Sequence, residues 1–275
     1  MLQRARALAA SCHPAPSLAV TLVITVLASS AGRGVGGCAL VAAAVMTGQS
    51  SVGWSNDRID VRRDVAAGRG DKPLAAGAVG PGAVSLAAAL AVAACVPLSL
   101  ANGWAAGTVH LVGVAVAWAY NLGIKRTRFS PLPYALAFGL LPAFVTLALP
   151  GTPWPGRWAL AAGALLGVGA HFANVLPDIE DDLGAGVRGL PQRLGARRSR
   201  IAAAVSLAAA SLFLVLGPAG RVGAAGWAGL ALSGALACAV PLASRGPRSR
   251  LPFLATLGLA VLDVALLLLR GGRLT

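Results

Sequence analysis

Residues 34–64 read GVGGCALVAAAVMTGQSSVGWSNDRIDVRRD: an apolar run over 34–53, then Asn56, Asp57, Asp60 and Asp64 in quick succession. A run of that length crosses about 30 Å of hydrocarbon as one helix, and the acids arrive only where such a helix would leave the membrane. On a helix, steps of four residues advance about 40° past a full turn, so Asn56, Asp60 and Asp64 form one stripe about 12 Å long. The spacing Asn-x3-Asp-x3-Asp returns at Asn174, Asp178 and Asp182. Eight of the nine carboxylates lie in these two stretches, Asn56 to Asp71 and Asn174 to Asp182. Two facing stripes of hard oxygen ligands are what Mg²⁺ and a diphosphate require.

With 275 residues, 57% hydrophobic and 12% charged, and a mean hydropathy of +0.75, the chain lies outside the composition of soluble domains. Nine apolar runs are long enough to span, near 16–31, 34–53, 82–101, 104–120, 132–150, 156–176, 200–217, 223–243 and 251–269. The fold expected is therefore an all-α, polytopic membrane bundle of nine transmembrane helices, with residues 1–275 forming a single integral-membrane domain. Basic residues test the count, because cytoplasmic loops carry the Lys/Arg excess. With the N-terminus cytoplasmic, 18 of the 23 fall in inside segments, including Arg58 to Lys72, Lys125 to Arg128, Arg188 to Arg200 and Arg245 to Arg250. Only Arg33, Arg157, Arg221, Arg270 and Arg273 fall outside. The chain thus reads as a multi-pass protein of the cell membrane, with both acidic stretches, and so the active-site mouth, on the cytoplasmic side.

The net charge of +14 follows this sidedness and suits anionic headgroups of the lipid bilayer, so no nucleic-acid partner is expected. Arg4 and Arg6 before an apolar run ending Ala28-Ser29-Ser30-Ala31 resemble a signal peptide, but cleavage would remove the first span and spoil the charge alternation. Cys12, Cys38, Cys95 and Cys238 are scattered, without zinc or disulfide spacing. His13, His110 and His171 are likewise dispersed, and no nucleophilic triad is indicated. Glycines such as Gly167 and Gly169 suit close helix approach in lipid. Pro177, directly before Asp178, should break the sixth span locally. The repeated motif hints at two related halves.

The first motif continues Gly68-Arg69-Gly70-Asp71-Lys72-Pro73, and the second continues Gly186-Val187-Arg188-Gly189-Leu190-Pro191. Between them, after the fourth span, stands Tyr120-Asn121-Leu122-Gly123-Ile124-Lys125-Arg126. In these motifs the chain resembles the UbiA-type family of intramembrane prenyltransferases. Its first motif matches the family's Asn-Asp-x2-Asp-x3-Asp, its second the family's Asp-x3-Asp, and the nine spans bring the resemblance to nearly the whole chain.

The resemblance implies that Asn56, Asp60, Asp64, Asp178 and Asp182 hold Mg²⁺ on the diphosphate of a polyprenyl donor, with the four aspartates acting in catalysis. Lys72, Tyr120, Lys125 and Arg126 then contact the diphosphate. His171, sharing a helix face with Asn174 and Asp178, lines a candidate acceptor pocket with Asn174. The implied reaction is Mg²⁺-dependent transfer of the polyprenyl group to a small acceptor, on analogy an aromatic one, giving a quinone- or lipid-type product. Breaking the allylic C–O bond puts negative charge on diphosphate and positive charge on carbon, which Mg²⁺ and Lys/Arg stabilise.

Two departures, Gly189 where the family often has Ser or Thr and Lys72-Pro73 where Arg-Pro is commoner, touch no metal ligand. Asp57, Glu180 and Asp181 read equally well as support for the ligands or as solvated charge, and Asp71 as a loop residue. Asp263, deep in the last span, is a functional candidate by default or a partner of Arg270. The competing functions are an intramembrane terpene cyclase and, from another class, a secondary transporter. Transporters place polar ligands near the bilayer midplane, whereas these clusters sit at the rim.

Overall fold

The structure is a computed structural model; it describes residues 2–243, 251–269 and 274. The described residues form eleven helices and no strand: α1 (Leu2–Ala10), α2 (Pro14–Ser30), α3 (Val35–Ala66), α4 (Pro81–Leu100), α5 (Trp104–Leu122), α6 (Pro131–Thr146), α7 (Arg157–Val175), α8 (Ile179–Gly184), α9 (Leu190–Leu216), α10 (Ala224–Ala243) and α11 (Leu251–Leu269). Prolines at the first turn of α2, α4, α6 and α9 start these helices where a missing N–H costs nothing.

Each of the nine expected apolar runs coincides with a helix, so the all-helical expectation holds. Helix length alone accounts for fewer crossings. Five are long and apolar enough to span by themselves: α3, α4, α5, α7 with its continuation to Gly184, and α9. The bent pair α1 and α2 makes a sixth if it counts as one span, while α6, α10 and α11 are shorter apolar helices over their described stretches. The sixteen-residue α6 ends at Thr146, short of the expected 150, because the chain turns over Leu147–Gly151.

The bundle has an apolar core that includes Leu27, Val41, Phe144 and Leu214, but its outer faces are apolar too. Leu18, Leu22, Leu86, Leu90, Val205 and Val261 are more than half exposed on the outer faces, while Ser51, Ser99, His171, Ser211 and Asp263 are buried inside. Apolar outer faces, with the polar side chains kept inside, are the arrangement lipid rewards. Asp263 accepts a hydrogen bond from Ser211, which also bonds Ser233; its expected alternative partner, Arg270, lies outside the described residues.

Sequential helices pack side by side from α2 through α9, and α11 returns to α2 and α7, closing the bundle. Glycines allow the tight contacts: a Cβ on Gly167 would collide with the Tyr134 carbonyl of α6, and one on Gly169 with Leu207 of α9. The loops group into two ends as the charge alternation requires. At one end Arg33 donates to Asn102 (3.0 Å) and to the Ala148 carbonyl, and Gly156 donates to Leu274 (2.6 Å). Both acidic motifs lie at the other end. Arg245, Arg248, Arg250, Arg270 and Arg273, which complete the alternation, lie outside the described residues.

Candidate active site

The first motif sits where expected, on the last turns of α3. The helix is continuous to Ala66, so Asn56, Asp60 and Asp64 do form a single stripe. The second motif does not. α7 stops at Val175, Pro177 lies in a 3₁₀ turn over Leu176–Asp178, and α8 begins at Ile179. Asn174 is thus on α7, Asp178 in the break and Asp182 on α8. Pro177 lacks an N–H and its ring crowds the preceding turn, which ends the α-helical ladder at this point.

The two motifs face one another across a cavity of about 580 Å³. Asn56, Asp60, Lys72, Tyr120, Lys125, His171, Asn174, Asp178 and Asp182 all line it. Arg126 does not; it is exposed on the turn after α5. Asp64 lies behind the wall and reaches the cavity through Lys72, whose Nζ donates to Asp64 Oδ2 at 2.8 Å and to Asp57 Oδ1 at 3.2 Å.

Basic side chains are interleaved with the acids. Lys125 Nζ donates to Asp60 Oδ2 at 2.6 Å, and Arg63 approaches the same oxygen at 3.0 Å. Arg63 also lies 3.8 Å from Asp64 and 3.6 Å from Asp182, bridging the two motifs. Arg69 contacts Asp178 at 3.4 Å and the exposed Asp71 at 2.9 Å. Gln192 donates to Asp182 Oδ2 at 2.7 Å, and Asn56 donates to Asn121 at 3.1 Å.

Two lysines respond differently to this setting. Burial alone would push Lys72 down, but its hydrogen bond to Asp64 and the charge of Asp57 outweigh burial and hold its ammonium above the ordinary range. Lys125 is more deeply enclosed. Burial pushes it down, and Asp60 only partly restores it, so its ammonium is the more readily lost of the two.

Below the charged rim the cavity turns aromatic. Tyr134 meets Tyr120 edge-on at 5.3 Å between ring centres, and His171 lies 5.0 Å from Tyr134 and 5.7 Å from Tyr120. His171 is hydrogen-bonded through Nε2 to Ser130 (3.1 Å), while its buried Nδ1 has no partner. Asn174 Nδ2 points to the Tyr134 hydroxyl at 3.4 Å. Phe138 is shared with a second, almost wholly apolar cavity of about 260 Å³ between α2, α6, α7, α9 and α11.

Among the described residues no three His, Cys, Asp or Glu side chains are grouped closely enough to hold a metal ion. Arg63 stands between the carboxylates of the two motifs. The donor chemistry nevertheless fits a hard divalent cation: carboxylates from two elements face one cavity, and the buried Asp60 Oδ1 has no hydrogen-bond partner.

Arg63, Asn121, Tyr134 and Gln192 were not among the expected site residues, nor was His13, which bonds Asp57 at 2.9 Å. Arg63 could have been found from its i+3 spacing to Asp60; the others arrive through tertiary packing. Gly189, the unexplained departure from the family pattern, also has a local reason. A Cβ there would stand 2.5 Å from the Lys125 carbonyl, so the chain before α9 packs directly on the turn that carries Lys125.

The profile of the UbiA prenyltransferase family matches residues 7–254. A 4-hydroxybenzoate octaprenyltransferase of Ralstonia nicotianae is 31% identical over 240 residues, covering 84% of this chain and 73% of the relative. Among solved structures, a UbiA homologue from Archaeoglobus fulgidus bound to DMAPP and Mg²⁺ superposes with a TM-score of 0.72 at 16% identity, covering 94% of this chain and 98% of the other. A UbiA homologue from Aeropyrum pernix K1 gives a TM-score of 0.67 at 21% identity, covering 90% and 96%.

Proposed function

The chain belongs to the UbiA prenyltransferase family, and from that premise we propose that it transfers a polyprenyl group from its diphosphate to a small aromatic acceptor, using Mg²⁺. The observation that carries the reading is the meeting of both aspartate motifs, with Lys72 and Lys125 among them, on one cavity floored by aromatic side chains. In support, the Ralstonia relative is named for a 4-hydroxybenzoate acceptor, and the Archaeoglobus homologue was solved with an allylic diphosphate and Mg²⁺.

In this reading Asn56, Asp60, Asp178 and Asp182, which line the cavity, would hold the metal, and Asp64 would join them once Lys72 releases it. Bound there, Mg²⁺ supplies Lewis-acid stabilisation of the diphosphate as a leaving group. The chain's own part is positioning and charge. Lys72 and Lys125 are placed to release their carboxylates and take the diphosphate oxygens. Of the basic pair on the turn after α5, Lys125 alone faces the cavity. When the allylic C–O bond breaks, its electron pair leaves with the diphosphate, and the cationic carbon is left above Tyr120 and Tyr134. An acceptor carbon then forms the new bond, and the proton it loses passes to the released diphosphate. The aromatic floor suits a flat acceptor, and the free Nδ1 of His171 together with Asn174 supplies polar contacts for it. The adjoining apolar cavity beyond Phe138 takes the isoprenoid tail, since burying each additional CH₂ there is worth about 0.8 kcal/mol.

The same reading places nine spans in the cell membrane, with the N-terminus and the mouth of the site cytoplasmic, as the basic loops require. The test is incubation of the purified, detergent-solubilised protein with labelled geranyl, geranylgeranyl and longer diphosphates, with and without Mg²⁺ and a panel of hydroxybenzoate and naphthoate acceptors. A lipid product requiring both Mg²⁺ and acceptor is expected. Hydrocarbon or alcohol formed without acceptor would instead identify a cyclase.

A further inference from the structure

The N-terminal segment enters the site in a way neither aspartate motif accounts for. α1 and α2 meet at a 61° bend. At that bend His13, directly before Pro14, holds left-handed backbone angles, φ 55° and ψ 65°. A residue with a Cβ adopts such angles only where its surroundings hold it there, and such strain gathers at functional sites.

Contacts with α3 and α2 hold this bend. Gly53 lies so close beneath it that a Cβ there would collide with the Cys12 carbonyl. Trp54 Nε1 donates to the Leu8 carbonyl at 2.8 Å, and Ser17 donates to the Cys12 carbonyl at 3.2 Å. Held in this way, His13 Nε2 donates to Asp57 Oδ1 at 2.9 Å. The same Asp57 oxygen accepts from Lys72, which continues to Asp64. His13 and Lys72 both line the cavity.

Lys72 sits on the connection between α3 and α4, which has no regular helix to fix it. Its neighbours Leu74 and Val79 pack on Ala7, Leu8 and Trp54, so the N-terminal segment both covers this connection and supplies the bond to Asp57. A residue needed only to make the bend would be better replaced by glycine, which adopts these angles freely. What glycine cannot supply is the ring nitrogen.

We propose that His13 is a positioning residue, fixing the Asp57 carboxylate and through it the place of the Lys72 ammonium against the donor's diphosphate. The proposal rests on the transferase reading above and assigns a part in it to a segment outside both motifs.

The experiment uses the full chain with His13→Gly, His13→Asn, His13→Gln, Asp57→Asn and the double variant His13→Gly/Asp57→Asn. Binding of inorganic diphosphate in Mg²⁺, the unfolding temperature, and KM and kcat for geranyl diphosphate are measured. His13→Gly should keep the unfolding temperature at or above wild type. It should nonetheless weaken diphosphate binding and raise KM about tenfold, with kcat within about twofold. His13→Asn, which tolerates the backbone angles but lacks the reach, should show the same loss, and His13→Gln should return to within about threefold of wild type. The double variant should bind no more weakly than Asp57→Asn alone, because the two act in series. Wild-type binding by His13→Gly and His13→Asn, or losses that multiply in the double variant, would overturn the proposal. If the wild-type chain binds diphosphate but transfers no prenyl group, the transferase reading fails, and the binding comparison still decides the role of His13.

Discussion

Replacing Lys125 with Met keeps most of the side chain's volume and removes its charge. Lys125 is 6% exposed and Asp60 only 2%; they meet at 2.6 Å, and the other Asp60 oxygen has no partner. Removing one member of a buried pair ordinarily costs about 3–5 kcal/mol, because the remaining charge is left without compensation. Here Arg63 stays 3.0 Å from the same oxygen, the pair borders a cavity, and removing the Lys125 charge also relieves the cost of burying it, so a net loss of only about 1 kcal/mol is expected, from the hydrogen bond that Asp60 no longer receives. Asp60→Asn introduced on top of Lys125→Met should recover part of that loss, since the orphaned charge goes with it. Activity should fall as well. A charged hydrogen bond to the diphosphate is worth about 1.5–3 kcal/mol, or about 10- to 150-fold in kcat/KM. Unfolding of the detergent-solubilised variants in EDTA measures the first effect, and steady-state kinetics the second. Unchanged stability in Lys125→Met, or a double variant as unstable as the sum of the singles, would refute the pairing argument.

Arg63→Gln removes the cation bridging Asp60, Asp64 and Asp182; in EDTA this should lower the unfolding temperature, yet the Mg²⁺ needed for half-maximal turnover should fall several-fold, as a titration will show. Asp60→Ala with Asp178→Ala should abolish turnover, whereas Asp71→Ala, whose partner Arg69 retains Asp178, should keep most of it; equal losses would undo the site assignment. Gly53→Ala forces a Cβ into the Cys12 carbonyl and should destabilise the fold by about 1–3 kcal/mol, read from the unfolding midpoint. Because Lys125 is held below the ordinary lysine range, the folded chain binds that proton less tightly than the unfolded chain. Activity should therefore begin to fall at a pH below about 10.4, while in EDTA the unfavourable share of Lys125 in stability is relieved as pH rises toward that value. An alkaline limb that is unchanged in Lys125→Arg would contradict this.

Much of the architecture was legible because the lipid phase constrains it. Apolar runs gave the helices, and basic residues gave the grouping of loops into two ends. Length was harder to read: whether α6, α10 and α11 cross completely depends on where turns interrupt them, and apolar composition carries little record of that. The motif on α3 could be placed residue by residue, since an unbroken helix fixes the stripe. At the second motif Pro177 announced the break but not its form, so the single stripe through Asn174, Asp178 and Asp182 was wrong in detail while all three still reached the cavity. Arg126 and Lys125 are equivalent in sequence; only the turn after α5 decides that Lys125 points inward. The bond between His13 and Asp57 had no sequence signal, because it depends on a left-handed residue at a bend that packing creates.

The most direct test of the account is binding of a non-cleavable geranyl thiolodiphosphate to the wild-type chain and to Asp60→Asn, Asp178→Asn and their combination, each with and without Mg²⁺. If both motifs hold one diphosphate through shared metal, wild-type binding requires Mg²⁺, each single substitution removes most of it, and the double is no worse than either. Binding that ignores Mg²⁺, or that survives the loss of one motif unchanged, would contradict the central claim.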